Sequence, residues 1–326
     1  MKVLITGCAG FIGFHLTYKL LKNKKYNVIG LDNLNTYYDL NLKKNRIKKL
    51  KKLDKNFKFY KEDIINKKSL NKIFKKFNFD VIINLAAQAG VRYSIHNPKT
   101  YFESNLKGFF NILELSKDYN IKQLFFASSS SVYGNNLEYP WNENTNSDFP
   151  LSFYAATKKS NELMAHAYSN IYKLNCVGLR FFTVYGEWGR PDMALHKFTE
   201  SILKNKIISI YNHGENIRDF TNIHDVVNSI VKLLNKNISK NINFQIYNLG
   251  SNKPIKVIKI VKLLEKYLKM KSKVKFVEAK LGDADKTYCD NSKLTKKIQY
   301  KFKKNIDLGV KEFVNWYLNY YKPAKK

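Results

Sequence analysis

Short apolar runs that alternate with helix-length segments constrain the fold of this chain more than any other feature. Most of the runs are continuous and rich in β-branched or aromatic residues, which is typical of strands buried on both faces. Helical segments between such strands indicate repeated βαβ units, so the sequence predicts an α/β fold built on a doubly wound parallel sheet. The predicted strands cover 3–6, 28–31, 57–60, 81–86, 124–128 and 176–182, and the predicted helices cover 11–21, 43–55, 70–77, 100–117 and 152–172.

The charge balance of the chain is strongly basic. The 58 Lys and Arg against 26 Asp and Glu give a formal net charge of +32. Only five of the basic residues are arginines, and the lysines are scattered, whereas nucleic-acid-binding proteins concentrate both types on one stripe. We therefore interpret the charge as a solvated surface and expect no nucleic-acid partner. No apolar run approaches the roughly 18 residues that span a bilayer, so we expect no membrane partner either.

The cysteines and histidines carry no sign of a metal site. Cys8, Cys176 and Cys289 are far apart and lack the C-x-x-C spacing, which predicts neither a disulfide framework nor a zinc site. The six His show no metal-ligand spacing. Met1 and Lys2 lead directly into the first predicted strand, so we expect no signal peptide. We expect a cytoplasmic protein without a metal.

A glycine-rich turn follows the first predicted strand and opens a helix. Gly7, Gly10 and Gly13 let the backbone approach a pyrophosphate at the N-terminus of that helix. Asp32 ends the second predicted strand nineteen residues beyond Gly13. A carboxylate there accepts hydrogen bonds from ribose hydroxyls and repels a 2′-phosphate. The pattern predicts a Rossmann-type site that binds NAD in preference to NADP.

The position of this turn, together with the length of the chain, predicts two domains. At roughly 150 residues per domain, 326 residues are enough for two. The second half is less regular, with glycines between shorter elements. We expect an NAD-binding Rossmann domain over residues 1–180 and a smaller C-terminal α/β substrate domain over 181–326. Residues of about 220–250 are expected to pack back onto the first domain.

A Tyr-x-x-x-Lys pattern provides candidate catalytic residues. Tyr154 and Lys158 lie four residues apart in a predicted helix, which places both side chains on one face. A free tyrosine titrates at about pH 10, and a neighbouring ammonium favours its phenolate, which makes it a better base at neutral pH. A run of hydroxyl side chains at 128–131 ends the fifth predicted strand, where open α/β sheets bind ligands. The spacing therefore predicts a catalytic group at this edge of the sheet.

These motifs, taken in order, resemble the extended short-chain dehydrogenase/reductase family. The resemblance covers nearly the whole chain and is closest to the nucleotide-sugar 4-epimerases, above all those acting on UDP-glucuronate. It implies an NAD-containing isomerase that interconverts UDP-glucuronate and UDP-galacturonate through a 4-keto intermediate, for polysaccharide biosynthesis. The segments that carry it are TGCAGFIG, LDNLNTYYD, NLAAQAGVRYS, ASSSSVYG, SFYAATKKSNELMAHAYS, LRFFTVYGEWGRPDMA, NIRDF and LGDADKTYCD.

The same resemblance implies roles for individual residues. Tyr154 removes the proton of the sugar 4-hydroxyl with help from Ser129, and Lys158 also holds the nicotinamide ribose. The implied cofactor contacts are Gly7, Gly10, Phe11, Ile12, Gly13, Asp32, Asn33, Asp63, Ile64, Leu85, Ala86, Ala87, Asn105, Tyr154 and Lys158. The implied substrate contacts are Ser129, Ser130, Ser131, Thr183, Arg190, Arg218 for the diphosphate, Asp283 for the uridine ribose, and Arg92, which a structural ion pair explains equally well.

Ser130 and Ser131 distinguish between related reactions of the family. By the resemblance, sugar 4,6-dehydratases carry an Asp-Glu pair at these positions and UDP-glucuronate decarboxylases carry a Glu. A serine has no titratable carboxyl, so elimination lacks its acid and base, and small donors suit a substrate carboxylate. Serines that merely fill a tight strand end are the alternative. We expect Arg180 to buttress the edge of the sheet.

One residue departs from the family pattern. Glu187 stands where close relatives usually have Pro. An acid beside an anionic substrate is unfavourable unless it pairs with Arg190 or points away. Two other functions therefore remain open: a 4-epimerase of UDP-glucose or UDP-N-acetylglucosamine, and a non-catalytic NAD-binding regulatory or scaffold protein on the same fold.

The resemblance also implies a homodimer. Its members commonly pair through two helices, here residues 100–117 and 152–172, to form a four-helix bundle. Apolar side chains recur at helical spacing in both segments, although burial within one chain explains the same stripe. They are Phe109, Phe110, Leu113, Met164 and Tyr168.

Overall fold

The structure is a computed structural model that describes residues 1–236, 243–278 and 284–321. Its strands are β1 (Lys2–Thr6), β2 (Asn27–Asp32), β3 (Lys58–Lys61), β4 (Val81–Asn84), β5 (Gln123–Ser129), β6 (Cys176–Phe181), β7 (Thr183–Tyr185), β8 (Ile207–Tyr211), β9 (Ile217–Asn222), β10 (Phe244–Leu249), β11 (Pro254–Lys256) and β12 (Lys273–Val277). The main sheet has seven strands in the order β10-β6-β5-β4-β1-β2-β3, and every neighbouring pair is parallel. The predicted fold class, a doubly wound parallel sheet, is confirmed.

Helices cover both faces of this sheet. They are α1 (Phe11–Leu21), α2 (Leu40–Leu53), α3 (Lys67–Lys76), α4 (Val91–His96), α5 (Pro98–Tyr101), α6 (Gly108–Asp118), α7 (Phe153–Tyr172), α8 (Ala194–Leu203), α9 (Ile223–Leu234), α10 (Val257–Leu268), α11 (Ser292–Ile298) and α12 (Ile306–Tyr320). Alternate strand residues pack on opposite faces: Val3 and Ile5 join the core under α1, α2 and α9, whereas Leu4 joins the core under α3, α6 and α7. The apolar runs of the sequence are therefore strands buried on both faces.

The helix predicted over 100–117 is continuous but not uniform. Helix α5 leads into a π-helical segment, Phe102–Lys107, which continues into α6. Single π-helical turns are rare and are often found beside functional sites. The other predicted elements begin and end within three residues of their observed bounds.

The remaining elements form a smaller layer beside the carboxyl ends of the main strands. Strands β7, β9 and β11 form one sheet, and β8 pairs with β12 in another. An apolar core joins this layer to α8, α10 and α12. Strand β10 and helix α9, in contrast, belong to the main sheet and its core. The division into domains at residue 180 stays a prediction.

No helix of the described part of the chain is both long enough and apolar enough to cross a membrane.

Arg180 does not lie at the edge of the sheet, because β10 pairs alongside β6 and places Asn248 opposite it. The Arg180 guanidinium donates from Nε to Oε1 of Glu162 (2.9 Å) and from Nη2 to Oε2 (2.8 Å). The hydroxyl of Ser128 donates to the same Glu162 Oε1 (2.5 Å). Both charged side chains are 5% exposed. This buried ion pair joins the interior of the sheet to α7.

We predict that the Arg180→Ala variant loses about 3–5 kcal/mol of unfolding free energy, because it leaves the Glu162 carboxylate buried without its cation. Urea unfolding of the purified protein measures this loss. The control is Lys122→Ala, which removes an ion pair with Asp80 whose lysine is 76% exposed. Such surface pairs contribute about 0–1 kcal/mol. Equal losses for the two variants would contradict the structural role of the buried pair.

Candidate active site

A cavity of about 780 Å³ lies at the carboxyl ends of the main strands. The strand order reverses between β1 and β4, and open α/β sheets bind their ligands at such a switch point. The walls come from both layers of the molecule: the loops after the main strands on one side, and β8, β9 and the segment before α8 on the other. A ligand in this cavity would therefore contact both layers.

The glycine-rich turn forms the floor of the cavity beneath α1. Gly7 has a φ of +72°, and a Cβ there would lie 2.7 Å from the backbone nitrogen of Ala86. A Cβ on Gly13 would lie 2.1 Å from the Gly7 carbonyl oxygen. Only glycine fits either position, and the resulting close approach leaves the N-terminus of α1 open to the cavity. This geometry is a cradle suited to a phosphate group.

Asp32 lies at the carboxyl end of β2, at one end of the cavity. Its carboxylate accepts hydrogen bonds from the backbone nitrogens of Ala9 (3.0 Å) and Leu34 (2.9 Å). Burial raises the pKa of Asp32, and these bonds and the charge of Lys43 act against that shift. Asn33, beside it, donates to Asp63 at 2.7 Å. These hydrogen bonds fix the Asp32 carboxylate and the Asn33 amide in a polar part of the cavity wall.

The structure gathers fourteen of the fifteen residues implied as cofactor contacts around one cavity. Asn105 is the exception, since it is buried behind the wall. Its amide donates to the Gln88 carbonyl oxygen (3.0 Å) and to Thr157 Oγ1 (3.0 Å), and it accepts from the Gln88 nitrogen (2.8 Å). Asn105 thus fastens the loop after β4 to α7. The residues that line the cavity are Gly7, Gly10, Phe11, Ile12, Gly13, Asp32, Asn33, Asp63, Ile64, Leu85, Ala86, Ala87, Tyr154 and Lys158.

Helix α7 presents Tyr154 and Lys158 to the cavity from its first turns. Ser152 caps the helix by accepting a hydrogen bond from the Ala155 nitrogen (3.2 Å). The Lys158 ammonium lies 5.9 Å from the centre of the Tyr154 ring and donates to the Ala127 carbonyl oxygen of β5 (2.9 Å). The two side chains share one face of the helix, as the spacing predicts.

The protonation equilibria of this pair reflect their burial. Burial raises the pKa of Tyr154, while a hydrogen bond with Ser129 and the positive charge of Arg190 lower it. Burial lowers the pKa of Lys158 to about 8. The cation that lowers the pKa of Tyr154 in this structure is therefore Arg190, an effect that the sequence pattern assigned to Lys158.

Hydroxyl side chains line the cavity wall next to Tyr154. Ser129 ends β5, and its hydroxyl contacts that of Ser131 (3.2 Å) and accepts from the Ser131 nitrogen (3.2 Å). Ser130 and Ser131 begin the short 3₁₀ turn that follows. Thr183, at the start of β7, faces the same cavity. The structure thus brings together the four hydroxyl groups that the sequence analysis singled out.

Arg190 lines the cavity and is held by an acid two residues further along the chain. Asp192 accepts from Nε of Arg190 (3.0 Å) and also from its Nη2. Glu187 is not the partner of Arg190. Its carboxylate lies 3.8 Å from His224 Nε2, and its carbonyl oxygen contacts His15 Nε2 (2.8 Å). The unusual acid therefore points away from Arg190, which removes the electrostatic objection to an anionic substrate.

The two other predicted arginines also line the cavity. The Arg92 guanidinium stacks on the ring of Tyr211 at 4.7 Å, and both residues line the cavity. Arg218 donates from Nη1 to the carbonyl oxygens of Ile217 (2.9 Å) and Asp285 (3.0 Å). Asp283 lies outside the described residues.

The polar cavity residues that the sequence did not single out include Asp192, Tyr37 and Lys43. Asp192 and Tyr37 are joined by a hydrogen bond from the Tyr37 hydroxyl (3.2 Å). Lys43 lies beside Asp32 and donates to the carbonyl oxygen (2.7 Å) and the side chain (2.6 Å) of Asn35. The one sequence feature that could have indicated them is that Tyr37 and Lys43 follow Asp32 closely. The glycine-turn motif assigns no role to the residues after Asp32.

Comparisons with known proteins show the family of this chain. A family model described as GDP-mannose 4,6 dehydratase matches residues 4–313. Protein CapI of Staphylococcus aureus is 48% identical over 336 residues, covering 99% of this chain and 100% of that protein. UDP-glucuronate 4-epimerase 4 of Arabidopsis thaliana is 43% identical over 340 residues, covering 100% and 77%. The crystal structure of UDP-glucuronic acid 4-epimerase from Bacillus cereus, in complex with UDP-glucuronic acid and NAD, superimposes with a TM-score of 0.92 at 34% identity, covering 98% and 100%.

Proposed function

We propose that this chain, which belongs to the GDP-mannose 4,6 dehydratase family, is a UDP-glucuronate 4-epimerase that uses NAD. The observation that carries the proposal is the lining of the cavity, which includes Ser130, Ser131, Thr183 and Arg190 as well as Tyr154. These groups can bind a carboxylate, and neither serine can act as the carboxyl acid or base that a dehydratase needs at this place.

The residues present fit NAD as the cofactor. The glycine turn leaves space that a single Cβ would fill, and it exposes a helix N-terminus to a pyrophosphate. Asp32 supplies a carboxylate for the adenosine ribose, and Lys158 supplies an ammonium for the nicotinamide ribose. When bound, NAD accepts a hydride from C4 of the sugar and returns it.

Tyr154 and Ser129 accept and return the proton of the sugar 4-hydroxyl. Tyr154 accepts this proton through its phenolic oxygen, and Ser129, hydrogen-bonded to it, relays or orients the proton. Burial raises the pKa of Tyr154, and the hydrogen bond with Ser129 and the charge of Arg190 act against that shift, so both groups favour the basic form of the phenol. After the 4-keto sugar turns over in the cavity, Tyr154 returns the proton to the oxygen on the other face. The reaction is an epimerisation without net oxidation.

The carboxylate of the sugar must also be held. Oxidation at C4 creates a β-keto acid, which loses CO₂ when the bond to its carboxylate aligns with the carbonyl π system. The hydroxyl groups of Ser130, Ser131 and Thr183, together with Arg190, hold the carboxylate out of that alignment. A hydrogen bond to a charged group contributes about 1.5–3 kcal/mol, so a few such bonds are sufficient. Arg218 binds the diphosphate, and Arg92 is a further candidate contact in the substrate pocket.

The proposed function is tested with a panel of UDP-sugars. Purified protein with NAD is expected to convert UDP-glucuronate into UDP-galacturonate, and the products are separated by anion-exchange chromatography and identified by NMR. UDP-glucose and UDP-N-acetylglucosamine are expected to react more slowly, because they lack the carboxylate. A preference for either neutral sugar would replace the proposal with a 4-epimerase of that sugar, and the absence of turnover with bound NAD would indicate a non-catalytic protein.

We predict that Tyr154→Phe keeps the binding of NAD and substrate but loses ~10²-fold or more of the turnover, since the phenolic oxygen is the proton acceptor. Single-turnover assays and calorimetric binding separate the two effects. The matched control is Tyr119→Phe, which removes a hydroxyl that donates to Asn71 on the surface. Near-normal epimerisation by Tyr154→Phe would reject the mechanism.

A cytoplasmic location fits the state of the cysteines. Cys8, Cys176 and Cys289 are all buried and unpaired by disulfides. Free thiols of this kind are typical of proteins in a reducing compartment.

The proposal includes a homodimer formed through α6 and α7. Phe109 and Leu113 of the predicted stripe are 1% and 0% exposed, because they pack in the core of the single chain. Other apolar side chains of the same two helices and of the preceding π-helical segment face outward. Phe102, Phe110, Leu163 and Ile171 are 51%, 44%, 60% and 68% exposed. These outward-facing side chains are the apolar surface through which the proposed four-helix bundle would form.

We predict that Leu163→Glu converts the dimer into a monomer, because it places a charge in the centre of the bundle. Light scattering coupled to size-exclusion chromatography at micromolar concentration measures the mass. The matched control, Leu308→Glu, changes a leucine that is 47% exposed on α12 and is expected to remain dimeric. A monomeric wild-type protein would refute the proposed assembly.

A further inference from the structure

Asp192 engages one whole edge of the Arg190 guanidinium. It accepts from Nε (3.0 Å) and from Nη2, in the two-bond geometry that arginine forms with carboxylates. The hydroxyl of Tyr37 donates to the same carboxylate (3.2 Å). The side chains of Arg190 and Asp192 are only 20% and 24% exposed, so water screens the pair weakly.

The other edge of Arg190 remains available to a ligand. Across residues 1–236, 243–278 and 284–321, no hydrogen bond involves Nη1 of Arg190. Nη1 and the second hydrogen of Nη2 together form the end edge of the guanidinium, which can bind a carboxylate as well as the side edge does. Arg190 and Asp192 both line the cavity. An anion bound at the end edge would therefore share Nη2 with Asp192 and occupy the neighbouring edge of the guanidinium.

Asp192 keeps its negative charge in this setting. Burial alone would raise the pKa of Asp192, but the charge of Arg190 and the hydrogen bonds from Arg190 and Tyr37 outweigh burial and keep this pKa below its ordinary value. Burial and the neighbouring Asp192 raise the pKa of Tyr37 to about 12, so Tyr37 keeps the proton that it donates. The Arg190–Asp192 pair is thus neutral overall at physiological pH.

We infer that Asp192 is a specificity-determining residue that limits how strongly Arg190 holds the carboxylate of an anionic sugar, an inference that rests on the proposed function. The guanidinium attracts a carboxylate at its end edge, and the Asp192 carboxylate on the neighbouring edge repels it. A neutral sugar at the same place experiences neither effect. Weaker binding of the carboxylate by Arg190 helps an epimerase, because the sugar must turn between its two faces and its carboxylate must break and remake its contacts.

The test measures ligand binding to the NAD-loaded protein by calorimetry, with UDP-glucuronate and UDP-glucose as probes. Asp192→Asn is expected to tighten the binding of UDP-glucuronate at least tenfold (about 1.4 kcal/mol) and to change that of UDP-glucose less than twofold. Asp192→Ser removes the same charge with a different shape and carries the same expectation if the first variant folds poorly. Unchanged or weaker binding of UDP-glucuronate, or an equal shift for both ligands, would overturn the inference.

Two controls separate the charge of Asp192 from its contact with Arg190. In an Arg190→Ala background, Asp192→Asn is expected to tighten UDP-glucuronate binding as well, because the Asp192 carboxylate repels the ligand carboxylate directly, and unchanged binding there would overturn the inference. Glu200→Gln removes a carboxylate that pairs with exposed Lys204 and does not line the cavity. This variant is expected to bind both ligands as the wild type does, and a tightening equal to that of Asp192→Asn would overturn the inference. Wild-type protein that fails to bind or epimerise UDP-glucuronate would instead refute the proposed function, so the two failures are distinguishable.

Discussion

The position of helix α7 against the sheet is the constraint on which the active site depends. Tyr154, Lys158 and Glu162 follow one another at four-residue intervals and share one face of this helix. Tyr154 bonds to Ser129, Lys158 donates to the carbonyl oxygen of Ala127, and Glu162 receives Ser128 and the guanidinium of Arg180. Three successive turns are therefore each tied to β5 or β6. The Glu162–Arg180 ion pair is buried, so sliding or rotation of α7 would leave a buried charge without its partner.

Sequence patterns predicted the parts of this arrangement that depend on neighbours along the chain. Buried strands need continuous apolar runs, and a phosphate-binding turn needs glycines at fixed intervals, so both leave local signals. The Tyr154 and Lys158 pair is visible for the same reason, since four residues make one helical turn. The pairing of β10 with β6 was not predicted, although residues of about 220–250 were expected to pack back onto the first domain. Strand β10 lies far along the chain, and pairing between distant strands leaves no local pattern, so the position of Arg180 inside the sheet was missed.

Side-chain partners at the site were less predictable than positions. Arg190 was expected in the cavity, but its bond to Asp192 depends on how the segment before α8 folds back, and the contribution of Tyr37 comes from a loop on the other side. Asn105 was expected to contact a cofactor, yet its amide faces backbone groups of Gln88 and the hydroxyl of Thr157. A family motif marks a residue as important without specifying whether it touches a ligand or supports one that does.

The cavity walls have a consequence for the protein as a whole. A ligand that bridges the loops of the main sheet and strands β8 and β9 binds only when both layers are folded and apposed. By mass action, a ligand at one hundred times its dissociation constant adds about 2.7 kcal/mol to the free energy of unfolding. Bound cofactor and substrate therefore stabilise the contact between the two layers. The resistance of the protein to heat or proteolysis depends on the concentration of these ligands as well as on the packing of the chain.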